Sequence, residues 1–508
     1  MQDTNVLCDP YGMRPTSAAS KTIWNRVELE SAAVDIAPLP VRIDQKLLNA
    51  RSFSAGRSPA VNRSARIAPE RDVRSGFAVC QFQDFGDASY PFVSIGGILE
   101  RKKSTEQRMR VVGIIAEYNP LHNGHIYHLE QAKALTGATF VVVVMSGSFV
   151  QRGEPACTDK YTRAQWVIKA GADLVLELPS VYAVSSAERF ALGGVRTLLE
   201  TRVVTDLAFG CEETDLQTLY QLCDIIVTEP PLFRRALHDH LKQGKSYPRA
   251  RFDALQSYGV PEYMLAAIAK PNNILAIEYL RALKSYAPSI QPLPIPRVGG
   301  GYNTEELTGD YSSATAIRKA LASGNRDVLT AMPSFVGGPL LYDPQFPITQ
   351  ADVGDLILYA IRKSTASYLR EVPDVDEGFE NVMLKAANTT SNIDDFHQAI
   401  KSKRFTLARC KRIAINALLG VTADQVHATV RAKNSVYLHV LAVSNAAKQL
   451  LSMIGKASDA PLILRNSDVM RAPDITKCNL ATDALATDIL AYATRNDVHR
   501  DSQGPLIL

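Results

Sequence analysis

The sequence predicts an α/β protein: a doubly wound parallel sheet with helices on both faces, followed by a mainly helical C-terminal region. Three observations carry this. From Met109 onward, short β-rich apolar runs alternate with helical patterns. The run "TFVVVVMSG" is apolar at consecutive positions, as in a strand covered on both faces. Beyond about residue 330 the pattern turns mostly helical.

Taken in order, Val111–Ala116 is the first strand. A helix follows from about Asn123 to Leu135, with Gly137 placed to cap its end. "TFVVVVMSG" is the second strand. "SFVQRGEPACTD" is expected to be a loop leading to a helix with Asp159 near its start and Gly171 after its end. "DLVLELP" is the third strand, "SSAERFALGGVRTLLE" a helix and "VVTDLAFG" the fourth strand. Helices dominate 215–286, "QPLPIPRVGGGY" is a strand ending in a glycine loop, and "SSATAIRKALASG" is a short capped helix. Later, "YLHVLAVSNAAKQLLSMIGKASDAPLILR" forms one small strand–helix–strand unit. A domain boundary is expected near 330. Ligands on doubly wound sheets sit beyond the strands' carboxyl ends. The two densest polar segments, 117–128 and 146–160, directly follow strands.

Bulk properties narrow the function classes. A chain of 508 residues is too long for one core, and its 46% hydrophobic and 21% charged residues are those of an ordinary globular protein. No apolar run is long enough to span a bilayer, so no membrane association is expected. A net charge of +4 excludes a histone-like field but permits a local basic patch. The seven cysteines are scattered, with no C-x-x-C pair, which argues against a disulfide framework or cysteine zinc site and for a reducing, cytoplasmic setting. Residues 1–108 are rich in Ser, Arg, Ala, Pro and Gly, without a sustained period. They are expected to be a disordered extension or a mis-assigned start, with Met109 as the true beginning. The N-terminus lacks a signal-peptide pattern, and acidic residues run through the segment against a transit-peptide reading.

Glu117–His128, "EYNPLHNGHIYH", holds three of the nine histidines. Asn123-Gly124 makes a tight turn into a helix, His125 and His128 share one face of its first turns, and His122 sits just before it. A helix N-terminus offers unpaired N–H groups and partial positive charge to phosphate. Imidazoles there can donate to oxygens that gain charge during phosphoryl or nucleotidyl transfer. The same spacing could hold zinc, although no third-ligand cluster and no H-E-x-x-H accompany it, or the histidines could simply cap and pack the helix. "HNGH" also fits the H-x-G-H signature of the nucleotidyltransferase superfamily, a Rossmann-like, HIGH-type fold. The superfamily's second signature has a match in "YSSATAIRKAL", where Ser312, Ser313 and Thr315 can cap a helix and donate to phosphates and Arg318 supplies charge.

The longer text resembles the bacterial tRNA(Met) cytidine acetate ligases. The matching blocks are "VVGIIAEYNPLHNGHIYHLEQAK", "VVVMSGSFVQRGEPACTDKYTRAQWVIKAGADLVLELP", "LAFGCE", "PNNILAIEYLRAL", "SSATAIRKAL" and "KSKRFTLARCKRIAINALLG", spread over most of 109–465. Leu121, Ser148, Cys211, Leu407 and Ala408 depart from the family's usual residues. The resemblance implies a nucleotidyltransferase-like, ATP-binding catalytic domain over 109–330 and a tRNA-binding domain over 331–508. It implies that acetate attacks the α-phosphate of ATP, and that the acetyl-adenylate then acetylates N4 of the wobble cytidine in elongator tRNA(Met). Mg²⁺ is expected with the triphosphate, no metal ligands can be named, and no protein partner is expected.

By the same resemblance His122, His125 and Arg318 are catalytic. ATP is implied to lie on Ile115, Ala116, Glu117, Tyr118, Asn119, Pro120, Leu121, His122, Asn123, Gly124, His125, Ile126, Tyr127 and His128. Gly210, Asn273, Arg297, Val298, Ser313 and Thr315 complete that set. Arg152 or Lys160 is a candidate for pyrophosphate or tRNA. Lys403, Arg404, Arg409 and Arg412 are candidate tRNA contacts within a cluster that also includes Lys401, Lys411 and Phe405. Two other functions fit the same fold: a small-molecule adenylyltransferase, and a non-catalytic nucleotide- and RNA-binding protein.

Overall fold

The structure, a computed structural model, describes residues 109–299, 306–343, 345–432 and 435–508. The expectation for 1–108 lies outside the described residues.

The first strand, β1 (Val111–Ala116), forms as expected, and alternation places its two faces in two cores. Val111 and Ile115 pack on one side of the sheet, Val112 and Ile114 on the other, each buried. Burial of such a side chain contributes roughly 1.5–3 kcal/mol. Helix α1 (Asn123–Thr136) follows, ending at Gly137 in the left-handed conformation (φ 61°). Strand β2 (Phe140–Ser146) pairs in parallel with β1, Ile114 opposite Val143. The segment expected to be a plain loop contains a small antiparallel hairpin, β3 (Phe149–Val150) and β4 (Glu154–Pro155). Two-residue strands leave no periodicity to read.

Helix α2 (Lys160–Lys169) begins as expected at Asp159, whose carboxylate accepts the N–H groups of Tyr161 and Thr162, both at 2.9 Å. Then come β5 (Leu174–Leu178), helix α3 (Ala187–Glu200), β6 (Asp206–Cys211), helix α4 (Pro271–Tyr286) and β7 (Gln291–Pro296). The prolines of β7 are tolerated because it is an edge strand, with one side free of ladder partners. Helix α5 (Ala314–Ala322) starts at Ser313, whose hydroxyl accepts the Ala316 N–H at 3.1 Å.

After residue 334 helices dominate, among them α6 (Leu407–Leu419) and α7 (Asp474–Ala493). The expected strand–helix–strand unit is present as β8 (Leu438–Val443), the helix Lys448–Ala457 and β9 (Leu462–Ile463). A last short strand is β10 (Leu506–Ile507).

The strand order is β10-β8-β5-β2-β1-β6-β7, with β9 beside β8. Neighbours from β5 to β7 are all parallel. One neighbour departs from the all-parallel expectation: β8 returns from far along the chain and pairs antiparallel with β5, Leu174 opposite Val443. From β1 the chain runs through β2 to β5 on one side, then crosses to β6 and β7 on the other. The order therefore reverses between β1 and β6, and the carboxyl ends of those two strands open a crevice.

Candidate active site

A cavity of about 340 Å³ occupies that crevice. Its walls include Ile115, Ala116, Glu117, Tyr118 and Asn119 from the end of β1, and His122, Gly124, His125, Tyr127 and His128 from the start of α1. Gly210 of β6, Arg297 and Val298 after β7, and Ser312, Ser313, Thr315 and Arg318 at the start of α5 complete the opposite side. The two signature segments, nearly 200 residues apart in sequence, thus face one space.

The histidines are set by local geometry. His122 is the N-cap of α1, and its Nδ1 accepts the Gly124 N–H at 3.1 Å. That bond leaves the proton on Nε2, so His122 is fixed as an Nε2–H donor. A Cβ at residue 124 would lie 3.0 Å from the His122 ring, so any larger residue would press on the imidazole. The rings of His122 and His125 stack at 3.7 Å, and Tyr118 meets His125 edge-on at 4.9 Å. Tyr118 holds φ at +47° with its side chain buried, a backbone state that packing must enforce for a bulky residue.

Burial, reinforced by Arg297 and Arg318, pushes His122 down to about 3. Burial and then Arg297 push His128 down to about 4, and His125 is also driven well below the ordinary histidine value by burial and by His122. Three neutral imidazoles therefore line a cavity whose cations are arginines. His125 Nδ1 and His128 Nε2 are buried and have no partner among the described residues. Such atoms ask for a polar ligand.

Arg318 donates to the Asn119 carbonyl at 2.8 Å and lies 3.7 Å from Glu154, which ties α5 to the loop after β1. Asn123 supports the same closure by donating to the carbonyls of Asp310 and Thr330 at 3.0 and 2.8 Å.

Several residues expected at the nucleotide lie off the cavity wall or are bonded within the protein. Pro120, Leu121, Asn123 and Ile126 do not line the cavity; Leu121 is buried in the core beneath it. Asn273 is fully buried, its oxygen accepting the N–H groups of Glu212 and Glu213 at 2.9 and 3.0 Å and its amide donating to Ala267 at 2.9 Å. It shapes the turn after β6, while its neighbour Asn272 reaches the cavity wall. A Cβ on Gly210 would make only ordinary contacts with Arg297 and His128, so the protein itself does not demand glycine there. Lys160 does not face the cavity. Its ammonium is buried against Glu177, at 2.8 Å to both oxygens, and Asp501, at 2.7 Å. His439 joins Glu177 from the other side at 2.6 Å. Glu177, His439 and Asp501 lie close enough to suggest a metal site, but the Lys160 ammonium already supplies their cation.

Arg163, one of the polar residues that the sequence crowds at the exit of the second strand, is a buried staple. It donates to the carbonyls of Thr158, Glu117, Ser146 and Gly147, fixing the loops after β1 and β2 together. A buried arginine looks like any surface arginine in the sequence.

The basic cluster also divides. Lys401, Lys403 and Arg404 are exposed, with Arg404 paired to Glu377. Arg409 is half-buried over the Phe405 ring and bonded to Asp374 and Asp376, and Phe405 itself is stacked on Phe379 and buried. Arg412 is also withdrawn from the surface, reaching the Gln151 carbonyl at 3.4 Å. Lys411 pairs with Glu154 at 2.6 Å. Both Gln151 and Glu154 line the cavity, so α6 abuts its rim.

Among the described residues, no helix is long and apolar enough to cross a membrane, and Cys157, Cys211, Cys223 and Cys410 are buried thiols outside any disulfide.

Known proteins share this architecture. A family model described as HIGH Nucleotidyl Transferase matches residues 109–504. A protein of Acetivibrio thermocellus named tRNA(Met) cytidine acetate ligase is 40% identical over 402 residues, covering 77% of this chain and 97% of its own length. A relative of the same name from Caldanaerobacter subterraneus subsp. tengcongensis is 41% identical over 392 residues, 76% of this chain and 96% of that protein. The crystal structure of Thermotoga maritima TmcAL bound with alpha-thio ATP superimposes with a TM-score of 0.73 at 31% identity, covering 79% of this chain and all of that one. Its apo form gives 0.75.

Proposed function

The chain belongs to the HIGH nucleotidyl transferases and, within them, to the tRNA(Met) cytidine acetate ligase family, and from that premise we propose that it activates acetate with ATP and acetylates N4 of the wobble cytidine of elongator tRNA(Met). The observation that carries the proposal is the cavity at the sheet's switch point, where the H-x-G-H helix start and the Ser313–Arg318 helix start face each other.

In the first step an acetate oxygen bonds to the α-phosphorus while the bond to the β-phosphate oxygen breaks and pyrophosphate leaves. Phosphoryl chemistry of this kind needs positioning and charge stabilisation rather than a protein nucleophile. His122 Nε2–H, His125 and Arg318 serve as donors to the phosphates, with Ser313 and Thr315 at the start of α5. A magnesium ion accompanying ATP would neutralise part of the triphosphate charge. Residues 109–330 supply this chemistry, and 331–508 supply the RNA-facing surface.

Incubation with acetate, ATP and tRNA is expected to yield N4-acetylcytidine on nucleoside mass analysis, with pyrophosphate exchange that requires acetate. Exchange that required a phosphorylated metabolite instead would favour a small-molecule adenylyltransferase. Tight ATP binding with no turnover would favour a non-catalytic protein.

For RNA binding, the exposed Lys401, Lys403 and Arg404 are better placed than Arg409, whose guanidinium is bonded to Asp374 and Asp376, and Arg412, which is withdrawn from the surface. Replacing Lys401 and Lys403 by alanine is expected to weaken tRNA binding while acetate-dependent exchange persists. The slope of log affinity against log salt should fall by roughly 0.7–0.9 for each phosphate the variant no longer neutralises. An unchanged slope in filter-binding or anisotropy titrations would move the RNA surface elsewhere.

A further inference from the structure

A site built for a triphosphate gathers donors and cations, yet a carboxylate stands in its wall immediately after β1. Glu117 lines the cavity at the switch point, and its Oε1 accepts the Gln151 N–H at 2.7 Å. The groups around it come from several elements. Arg163 of α2 donates to the Glu117 carbonyl at 2.8 Å, Arg318 of α5 and Arg152 of the β3–β4 turn act on its charge, and Tyr279 of α4 lines the same cavity. Its bond to Gln151 joins it to the hairpin that abuts α6.

The acetyl-transfer step, on the reading proposed above, leaves one proton without a stated destination. N4 of cytidine attacks the carbonyl carbon of acetyl-adenylate, the C–N bond forms, and the C–O bond to AMP breaks with its electron pair leaving on the phosphate. The nitrogen must then shed one proton. The imidazoles are poor acceptors: His122 Nδ1 is occupied by Gly124, and all three rings are weakly basic in their buried setting. Glu154 is tied to Lys411, which, against the effect of burial, holds its carboxyl below the ordinary range. Glu117 is the opposite case. Burial pushes its carboxyl up despite the Gln151 N–H and the neighbouring arginines, which makes it the more basic of the two carboxylates.

We propose that Glu117 is the general base of acetyl transfer, taking the N4 proton as the C–N bond forms and releasing it to water after AMP departs. The role rests on the ligase reading and adds a catalytic residue to it.

The test is single-turnover transfer from enzyme-bound acetyl-adenylate to tRNA, followed against pH, for the full chain and its Glu117→Gln variant. Glutamine can still accept the Gln151 N–H, so the hairpin keeps its anchor. Transfer should fall by about 10²–10⁴-fold, far more than acetate-dependent pyrophosphate exchange, and the fall in rate on the acid side should disappear. Glu117→Asp should restore that acid limb at a reduced rate. Transfer at the wild-type rate, an acid limb retained in Glu117→Gln, or an equal loss of exchange and transfer would each overturn the proposal. Failure of the wild-type protein to acetylate tRNA at all would instead overturn the reading on which it rests.

Discussion

Replacing His125 by alanine is expected to lower acetate-dependent pyrophosphate exchange by about 10²–10³-fold, the usual cost of removing one preorganised donor, or roughly 2.7–4 kcal/mol. The ring projects into the cavity between His122 and Tyr118, and its buried Nδ1 has no partner among the described residues. The change also has a signature unrelated to turnover. In the folded, ligand-free protein His125 resists protonation, whereas in the unfolded chain it titrates near ~6.5. The unfolded state therefore binds more protons as pH falls below that value, and stability falls with it. The alanine variant lacks this contribution, so its melting temperature should depend less on pH as pH falls below ~6.5. Normal exchange in the variant, measured with radiolabelled pyrophosphate, would remove His125 from the chemistry.

Replacing Lys160 by methionine should destabilise the protein by about 3–5 kcal/mol at neutral pH without any direct effect on the nucleotide cavity. The ammonium is fully buried, and its loss strands Glu177 and Asp501. Burial alone would raise the Glu177 carboxyl, but Lys160 and His439 outweigh it and hold the group down at about 2. Nearby, burial and then Glu177 push Asp483 up to about 7, where it accepts hydrogen bonds from Tyr437 and from the Ser180 N–H. Because Glu177 is depressed in the folded state, its contribution is complete above the unfolded carboxylate pKa of ~4.3 and is lost as pH falls toward 2. The Lys160→Met penalty should therefore be greatest near neutrality and shrink as acid allows the stranded carboxylates to take protons. Urea titrations at neutral and acid pH measure this; a penalty independent of pH would mean that the change acts through packing rather than charge.

The parts of the fold that could be read in the sequence are those whose cause is local. Strands β1, β2, β5 and β6, the caps at Gly137, Asp159 and Ser313, and the helix carrying His125 and His128 all follow from residues within a few positions of one another. The functional pairing of α1 with α5 was legible only because two signatures occur in order. What escaped was set by partners hundreds of residues away. The chemistry of Lys160 depends on Glu177, 17 residues on, but also on Asp501, 341 residues on. Arg412 reads as a surface cation until Gln151 and the hairpin are brought against it. Asn273 sits one position from the cavity-lining Asn272, and only the turn after β6 decides which amide is exposed to ligand. Charge and polarity in a sequence do not distinguish a solvated side chain from one satisfied inside.

The antiparallel seam between β5 and β8 also matters for how the protein is made. On the ribosome, Leu174–Leu178 emerges long before Leu438–Val443, and the nascent sheet waits with an open margin for most of the remaining synthesis. Any premature stop or proteolytic nick that removes the late strand leaves an apolar row of unpaired amides and carbonyls. Such fragments would be clients for chaperones, or seeds for aggregation, rather than miniature enzymes.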